Sequence, residues 1–182
     1  MHKFILPIEN YELNCLPRFP EKGSFWESRG DRFHCGIDFY CEESTPVLSC
    51  ENGYVLEIGT FTGPNIIYYW DVTYFVLIKS FKYDYILKYA EMKKIFVSKH
   101  QHIKQGQVIG LVGKVINPDK LSIFSPLYIQ RIAASNNCSM LHLELHKFPY
   151  IELKPYLGGN YFGLDKPNSL LNIEKFLIEN CK

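Results

Sequence analysis

Phe33-His34-Cys35-Gly36-Ile37-Asp38-Phe39 places an imidazole and a carboxylate four residues apart with a glycine between them. In an extended strand an even spacing sends both side chains to one face, and the missing side chain at Gly36 leaves that face open for an ion to approach. A His and an Asp beside a glycine are also what a hydrogen-bonded loop contains, so the meaning of the stretch depends on the rest of the chain. About a hundred residues on, Met140-Leu141-His142-Leu143-Glu144-Leu145-His146 alternates strictly. Leu141, Leu143 and Leu145 fall on one face of a strand, with Met140, His142 and Glu144 on the other. Such a strand holds His142 firmly, either as a ligand or as a cross-strand hydrogen-bonding partner. Glu144, next but one, either orients that imidazole or faces solvent.

The surrounding sequence reads as antiparallel sheet. Short runs of alternating or β-branched residues at 36–39, 46–50, 54–58, 66–69, 74–79 and 85–89 are bounded by turn residues, and 97–113 alternates again. Before them, Pro7, Pro17, Pro20, Gly23 and Gly30 punctuate an ordered lead-in loop without long elements. Residues 114–137 are too many for a hairpin loop and predict an excursion with structure of its own. At the carboxyl end, Leu170, Leu171, Ile173, Phe176, Leu177 and Ile178 lie at helical spacing, with Asn168 or Ser169 as the cap.

Bulk properties narrow the classes of function. The chain of 182 residues is the size of one domain. Its 20 basic and 19 acidic side chains contain no long run of one sign, which argues against a nucleic-acid or anionic-membrane partner. An aromatic content of 15% suits a β-rich globule and excludes disorder. The most apolar stretch, 66–78, is too short to span a membrane and is interrupted by Asp71. Pro7 and the polar residues after it cut off any export signal in the chain as it stands, so the expected compartment is cytoplasmic unless a leader has been removed. Six cysteines without a CxxC pair read as free thiols.

Taken together, in this order and spacing, these segments resemble the lysostaphin-type, or LytM-type, zinc metallopeptidases, a family of peptidoglycan endopeptidases. In that family HxxxD supplies two zinc ligands and an HxH strand a third. The framework is similar as well. Ser44-Thr45-Pro46-Val47-Leu48-Ser49-Cys50 and Glu51-Asn52-Gly53-Tyr54-Val55 resemble the "TPV…A…GxV" hairpin. Ile103-Lys104-Gln105-Gly106-Gln107-Val108-Ile109-Gly110-Leu111-Val112-Gly113 is close to "VKKGQVIGxVG", a piece that alone also occurs in lipoyl and biotinyl domains. Glu152-Leu153-Lys154-Pro155-Tyr156-Leu157 resembles "DPxPYL". The resemblance runs from Arg32 to Leu157.

It implies a mainly β fold, a twisted antiparallel sheet with a metal-lined groove, plus a short C-terminal helix. It divides the chain into a lead-in at 1–31, a metallopeptidase-like domain at 32–158 and an extension at 159–182. Zinc would be held by His34, Asp38 and His142, three ligands with an open position, where the metal activates water and polarises a peptide carbonyl. Two further histidines serve proton transfer in the family, and both are replaced. The first of HxH falls on Met140, whose thioether takes no proton. The histidine of "YxHL" falls on Glu91, which either substitutes as general base or coordinates the ion and closes the site. His146 reads as peripheral, and His100 and His102 as solvent-facing or hydrogen-bonded. The expected function is therefore a zinc-binding, catalytically degenerate module for a peptide, a wall fragment or a protein partner. The alternative is an active zinc endopeptidase cleaving peptidoglycan-type peptides, with Glu91 as its base.

Overall fold

Period-two alternation in the middle of the chain dictates long antiparallel strands, and these dominate the computed structural model, which describes residues 4–134 and 138–181. The strands are β1 (Phe33–His34), β2 (Ile37–Tyr40), β3 (Pro46–Leu48), β4 (Gly53–Thr62), β5 (Thr73–Ser80), β6 (Tyr85–Ile95), β7 (His102–Ile103) and β8 (Val108–Lys114), then β9 (Ser139–Lys147), β10 (Tyr156–Leu157), β11 (Asn160–Tyr161) and β12 (Leu170–Leu171). Two helices, α1 (Leu127–Ala134) and α2 (Ile173–Asn180), complete the list of longer elements. Among the described residues no helix is long and apolar enough to cross a membrane.

Nine strands form one sheet in the order β12-β9-β8-β6-β5-β4-β7, with β2 added to β9, β3 added to β8, and β9 also pairing with β6. β1, β11 and β10 make a separate three-stranded sheet. The expected mainly β, antiparallel fold with a short C-terminal helix is what the chain adopts.

β9 runs between β2 and β6, so His142 lies opposite Asp38 on one side and Ala90 on the other. Its register follows from its apolar face: Leu141 and Leu143 pair with Phe39 and Ile37, and all four are fully buried. A slip of one residue would put the ionisable side chains among the apolar ones and the leucines among the buried polar partners, so the separation of the two faces locks His142 opposite Asp38. The lead-in and both ends of the chain join the same core, which includes Phe4, Leu16 and Phe25 as well as Ile173, Leu177 and Cys181.

Several local expectations change. Residues 66–69 form no strand, because Gly63-Pro64 starts a turn in which the amides of Ile66 and Ile67 both donate to the Gly63 carbonyl. Within 97–113, β7 and β8 are separate, broken where Gly106 takes φ +78°. The C-terminal helix begins later than its apolar spacing suggests. Leu170 and Leu171 are spent pairing with His146 and Leu145, and the cap is Asn172, whose side chain accepts from the Lys175 amide at 2.9 Å. The excursion at 114–137 holds a 3-10 turn at Pro118–Lys120 and α1, while its last residues, 135–137, lie outside those described, as do residues 1–3 of the amino-terminal stretch. All six cysteines are free thiols.

Gly36 has a more specific role than leaving a face open. A Cβ there would sit 2.5 Å from the Leu143 carbonyl oxygen and 2.7 Å from the His142 ring, so the glycine permits β2 and β9 to approach. Gly36→Ala should therefore lower stability by about 2–3 kcal/mol, read by chemical denaturation. Wild-type stability for this variant would mean that the β2–β9 approach is looser than described.

Candidate metal centre

Three side chains from three strands converge on one point. His34 Nδ1 donates to the Ser24 carbonyl at 2.8 Å, which fixes the tautomer and leaves Nε2 as a bare lone pair. That Nε2 stands 3.0 Å from His142 Nδ1 and 3.1 Å from Asp38 Oδ1. His142 in turn donates from Nε2 to Glu144 Oε1 at 2.8 Å, and its Nδ1 lies 2.9 Å from Asp38 Oδ1. Without metal, a proton on His142 Nδ1 is donated to Asp38 Oδ1; once that proton is lost and both histidines are neutral, three electron-pair donors face one another. The ligand atoms of a tetrahedral zinc with bonds of about 2.0–2.1 Å stand about 3.3–3.4 Å apart. The spacing here falls within a few tenths of an ångström of that, and two imidazoles with one carboxylate form a zinc-compatible donor set.

Each of the three is held from behind. Arg29 Nη2 donates to Asp38 Oδ2 at 3.3 Å and also reaches Glu27, while its Nη1 donates to Asn160 Oδ1 at 3.1 Å. Glu144 orients His142 and does not face solvent, being fully buried. The Tyr156 hydroxyl donates to Glu144 Oε1, Lys88 Nζ donates to Tyr156 Oη at 2.7 Å, and His146 Nε2 donates to Glu144 Oε2 at 2.6 Å. His146 is thus neither a base at the triad nor idle at the edge; it acts on His142 only through Glu144. Such outer partners fix ring orientation and ligand basicity.

Glu91 lies near the triad, close enough to feel the charges of Asp38 and His142, and a backbone irregularity sets its direction. Tyr74 and Val76 of β5 pair with Met92 and Tyr89 of β6, so β6 carries one extra residue there, and Glu91 takes φ +64°. A bulge of this kind re-aims a side chain. Glu91 is 9% exposed, and its Oε2 is buried with no hydrogen-bond partner. Burial, reinforced by the charge of Asp38, pushes its pKa up to about 8 against the pull of His142 and Arg29. Met140 is half-buried two residues before His142, opposite Tyr40 and Gly113, and offers no proton acceptor. His100 and His102 lie exposed near the β4–β7 edge and take no part, His102 packing its ring against the edge of Phe81.

The surroundings close over the triad. His34, Asp38 and His142 are 1%, 3% and 1% exposed. Phe61 stacks on the His142 ring at 5.9 Å, and a Cβ on Gly159 would lie 2.8 Å from it. Arg29, Lys88 and Phe61 carry no local sequence signal that announces these roles, since each arrives from a different segment. Tyr156 sits in the "DPxPYL"-like piece, the one hint available.

Residues 32–125, just over half of the chain, match the model of peptidase family M23. The chain belongs to peptidase family M23. His34 and Asp38 fall inside the matched segment and His142 beyond it, so in this M23 domain the third donor rests on geometry. The fold is similar to that of the catalytic domain of the antimicrobial peptidase lysostaphin from Staphylococcus simulans, at 17% identity and a TM-score of 0.53, over 86% of this chain and 87% of that one. Against the longer lysostaphin structure the identity is again 17%, with a TM-score of 0.50, covering 81% of this chain and 45% of that one. This M23 chain therefore spans less than half of that lysostaphin chain. No curated protein matches the sequence.

Protonation offers a direct readout. Burial lowers the affinity of His142 for a second proton, but Asp38 and Glu144 more than offset this and raise its pKa from 6.5 to about 9. A folded state that holds the proton more tightly gains stability that is complete below about pH 6.5 and lost as pH climbs through 9. Glu91, raised from 4.5 to about 8, acts in the same direction. In metal-free protein the melting temperature should fall between pH 6.5 and 9, whereas zinc, occupying the place of the His142 proton, should flatten the curve. A metal-free melting temperature that rises over this window would contradict the arrangement.

Proposed function

We propose that this M23 domain binds a zinc ion through His34, Asp38 and His142, with Glu91 as a fourth ligand, and no longer hydrolyses peptides. It serves instead as a binding or regulatory module for a peptide, a wall fragment or a protein partner. The observation that carries this reading is the Glu91 carboxylate, buried beside a closed triad with one oxygen unpartnered. Structural zinc sites have four protein ligands, whereas catalytic ones keep a position open. When bound, the metal would tie β1, β2, β6 and β9 together, and its Lewis acidity would serve chemistry only if a peptide carbonyl could reach it. Met140 supports the same conclusion, since general acid–base help is worth orders of magnitude in rate and a thioether provides none.

A second reading rests on the same carboxylate. With its pKa raised to about 8, Glu91 is poised as a proton acceptor near neutrality, which suits an active endopeptidase of peptidoglycan-type peptides. Metal analysis and an activity assay separate the two. The purified chain should hold one zinc, lose it in His142→Ala, and cleave neither cross-linked wall fragments nor glycine-containing peptides. Glu91→Gln should weaken zinc affinity by roughly tenfold or more. Cleavage that disappears on chelation and in Glu91→Gln would establish the second reading. A chain without stoichiometric zinc, whose melting is unmoved by His142→Ala, would overturn the ligand assignment itself.

A further inference from the structure

A carboxylate ligand has two oxygens, and whether an ion takes one or both depends on what else holds them. Asp38 presents Oδ1 to the two imidazoles, 3.1 Å from His34 Nε2 and 2.9 Å from His142 Nδ1. Its Oδ2 instead accepts from Arg29 Nη2 at 3.3 Å. The two oxygens of one ligand are thus divided between the triad and a guanidinium.

Arg29 is held on every side. Its backbone amide donates to the Arg32 carbonyl at 2.8 Å, in a turn closed by the bridge between Ser28 and Phe33. On one flank, Glu27 Oε2 accepts from Nε at 3.2 Å and lies 3.1 Å from Nη2, and the Gly23 amide anchors that same oxygen at 2.8 Å. On the other flank, Nη1 donates to Asn160 Oδ1 at 3.1 Å. The Asn160 carboxamide is itself oriented, because its Nδ2 donates to the Leu157 and Gly158 carbonyls at 3.3 and 2.8 Å and β11 sets Asn160 opposite His34. A guanidinium presents its N–H groups in a fixed planar fork, so fixing both flanks aims the other N–H of Nη2 at Asp38. Glu27, Arg29 and Asn160 all lie outside residues 32–125, so this clamp is not part of what the M23 match covers.

The hold on Oδ2 bears on which ion fits. Zinc is satisfied by four tetrahedral ligands, and His34, His142, one oxygen of Asp38 and Glu91 would supply them. Manganese and calcium seek six or more ligands, mostly oxygen, and gain from a carboxylate that offers both of its own. Bringing Oδ2 onto an ion would cost Arg29 its bond to Asp38 and bring like charges together.

We propose that Arg29, clamped by Glu27 and Asn160, is a specificity-determining residue of the metal site: it restricts Asp38 to one-oxygen ligation and favours zinc over divalent cations that seek more oxygen ligands, such as manganese. The inference rests on the zinc reading above and concerns the choice of ion rather than its presence.

The test compares the full chain with Arg29→Lys and Asn160→Ala in titrations with zinc, manganese and cobalt(II), the last as a spectroscopic stand-in for zinc. Arg29→Lys keeps the charge and loses the fork. Asn160→Ala keeps the guanidinium but frees one flank, and covers the case in which Arg29→Lys fails to fold. Cobalt in the unaltered chain should give the intense visible absorption of four-coordination. In Arg29→Lys that absorption should weaken as Oδ2 joins the ion, and the zinc-to-manganese affinity ratio should fall roughly tenfold. Asn160→Ala should move both in the same direction by a smaller factor. Lost packing alone would lower both affinities together and leave ratio and spectrum unchanged. The proposal is overturned if ratio and spectrum in the variants match those of the unaltered chain, or if the unaltered chain takes cobalt in the pale, six-coordinate form. An unaltered chain that binds neither zinc nor cobalt overturns the ligand assignment itself, and this inference with it.

Discussion

A cluster of ionisable groups is buried on the polar face of β9, and the structure around it is arranged to make that burial tolerable. His142 and Glu144 sit on this strand with His146 beyond them, all at or below 1% exposure, inside a sheet whose other residues are largely aliphatic and aromatic. An unpaired charge in such a place would cost several kcal/mol. Each charge therefore has a partner: Arg29 stands against Asp38, and Lys88 lies 3.6 Å from Glu144 with Tyr156 bonded to both. Lys88 also packs over the rings of Phe61, Phe75 and Tyr156, which cushions its desolvation. The same residues that neutralise charge hold the His142 ring in one orientation, so stabilisation of the fold and preorganisation of the site are one arrangement.

This explains what could be read from the sequence. The triad was legible because each member sits in a short extended segment, where spacing translates into facing. His34 and Asp38 are separated by Gly36, and His142 alternates with three leucines. The order of the hairpins was legible for the same reason, since turn residues and alternating runs are local signals. Where local signals compete with long-range pairing, the reading failed. Residues 66–69 are β-branched and aromatic, yet the turn started by Gly63-Pro64 takes them out of the sheet. Leu170 and Leu171 fit a helical stripe but are captured by the edge of β9.

The partners behind the triad were not legible, and no spacing rule would have supplied them. Arg29 reaches Asp38 across a loop, Lys88 approaches Glu144 from the neighbouring strand, and Ser24 contributes only a carbonyl oxygen. Backbone acceptors carry no residue signature at all. Glu91 was noticed by its position in the "YxHL"-like segment, but its approach depends on a bulge and a left-handed backbone conformation that tertiary pairing imposes. The open groove implied by the resemblance is narrowed here by Phe61 and by the close approach of Gly159 to the His142 ring.

Charge balance connects Glu91 to the triad. In the metal-free molecule near neutral pH, His142 keeps an additional proton because Asp38 and Glu144 flank it, and Glu91 keeps one because it is buried beside Asp38. A divalent ion entering the triad would displace the proton of His142 and favour loss of the proton of Glu91. Two positive charges would leave as the ion's two arrive, and the net charge of the buried cluster would not change. A site with a neutral residue in place of Glu91 could not make this exchange and would acquire an uncompensated charge in a closed, low-dielectric pocket. A carboxylate at position 91 and the closure of the surroundings over the triad are thus compatible with one another. A carboxylate suits a buried ion that must be neutralised from within, whereas a neutral imidazole suits an open one that solvent and substrate can reach.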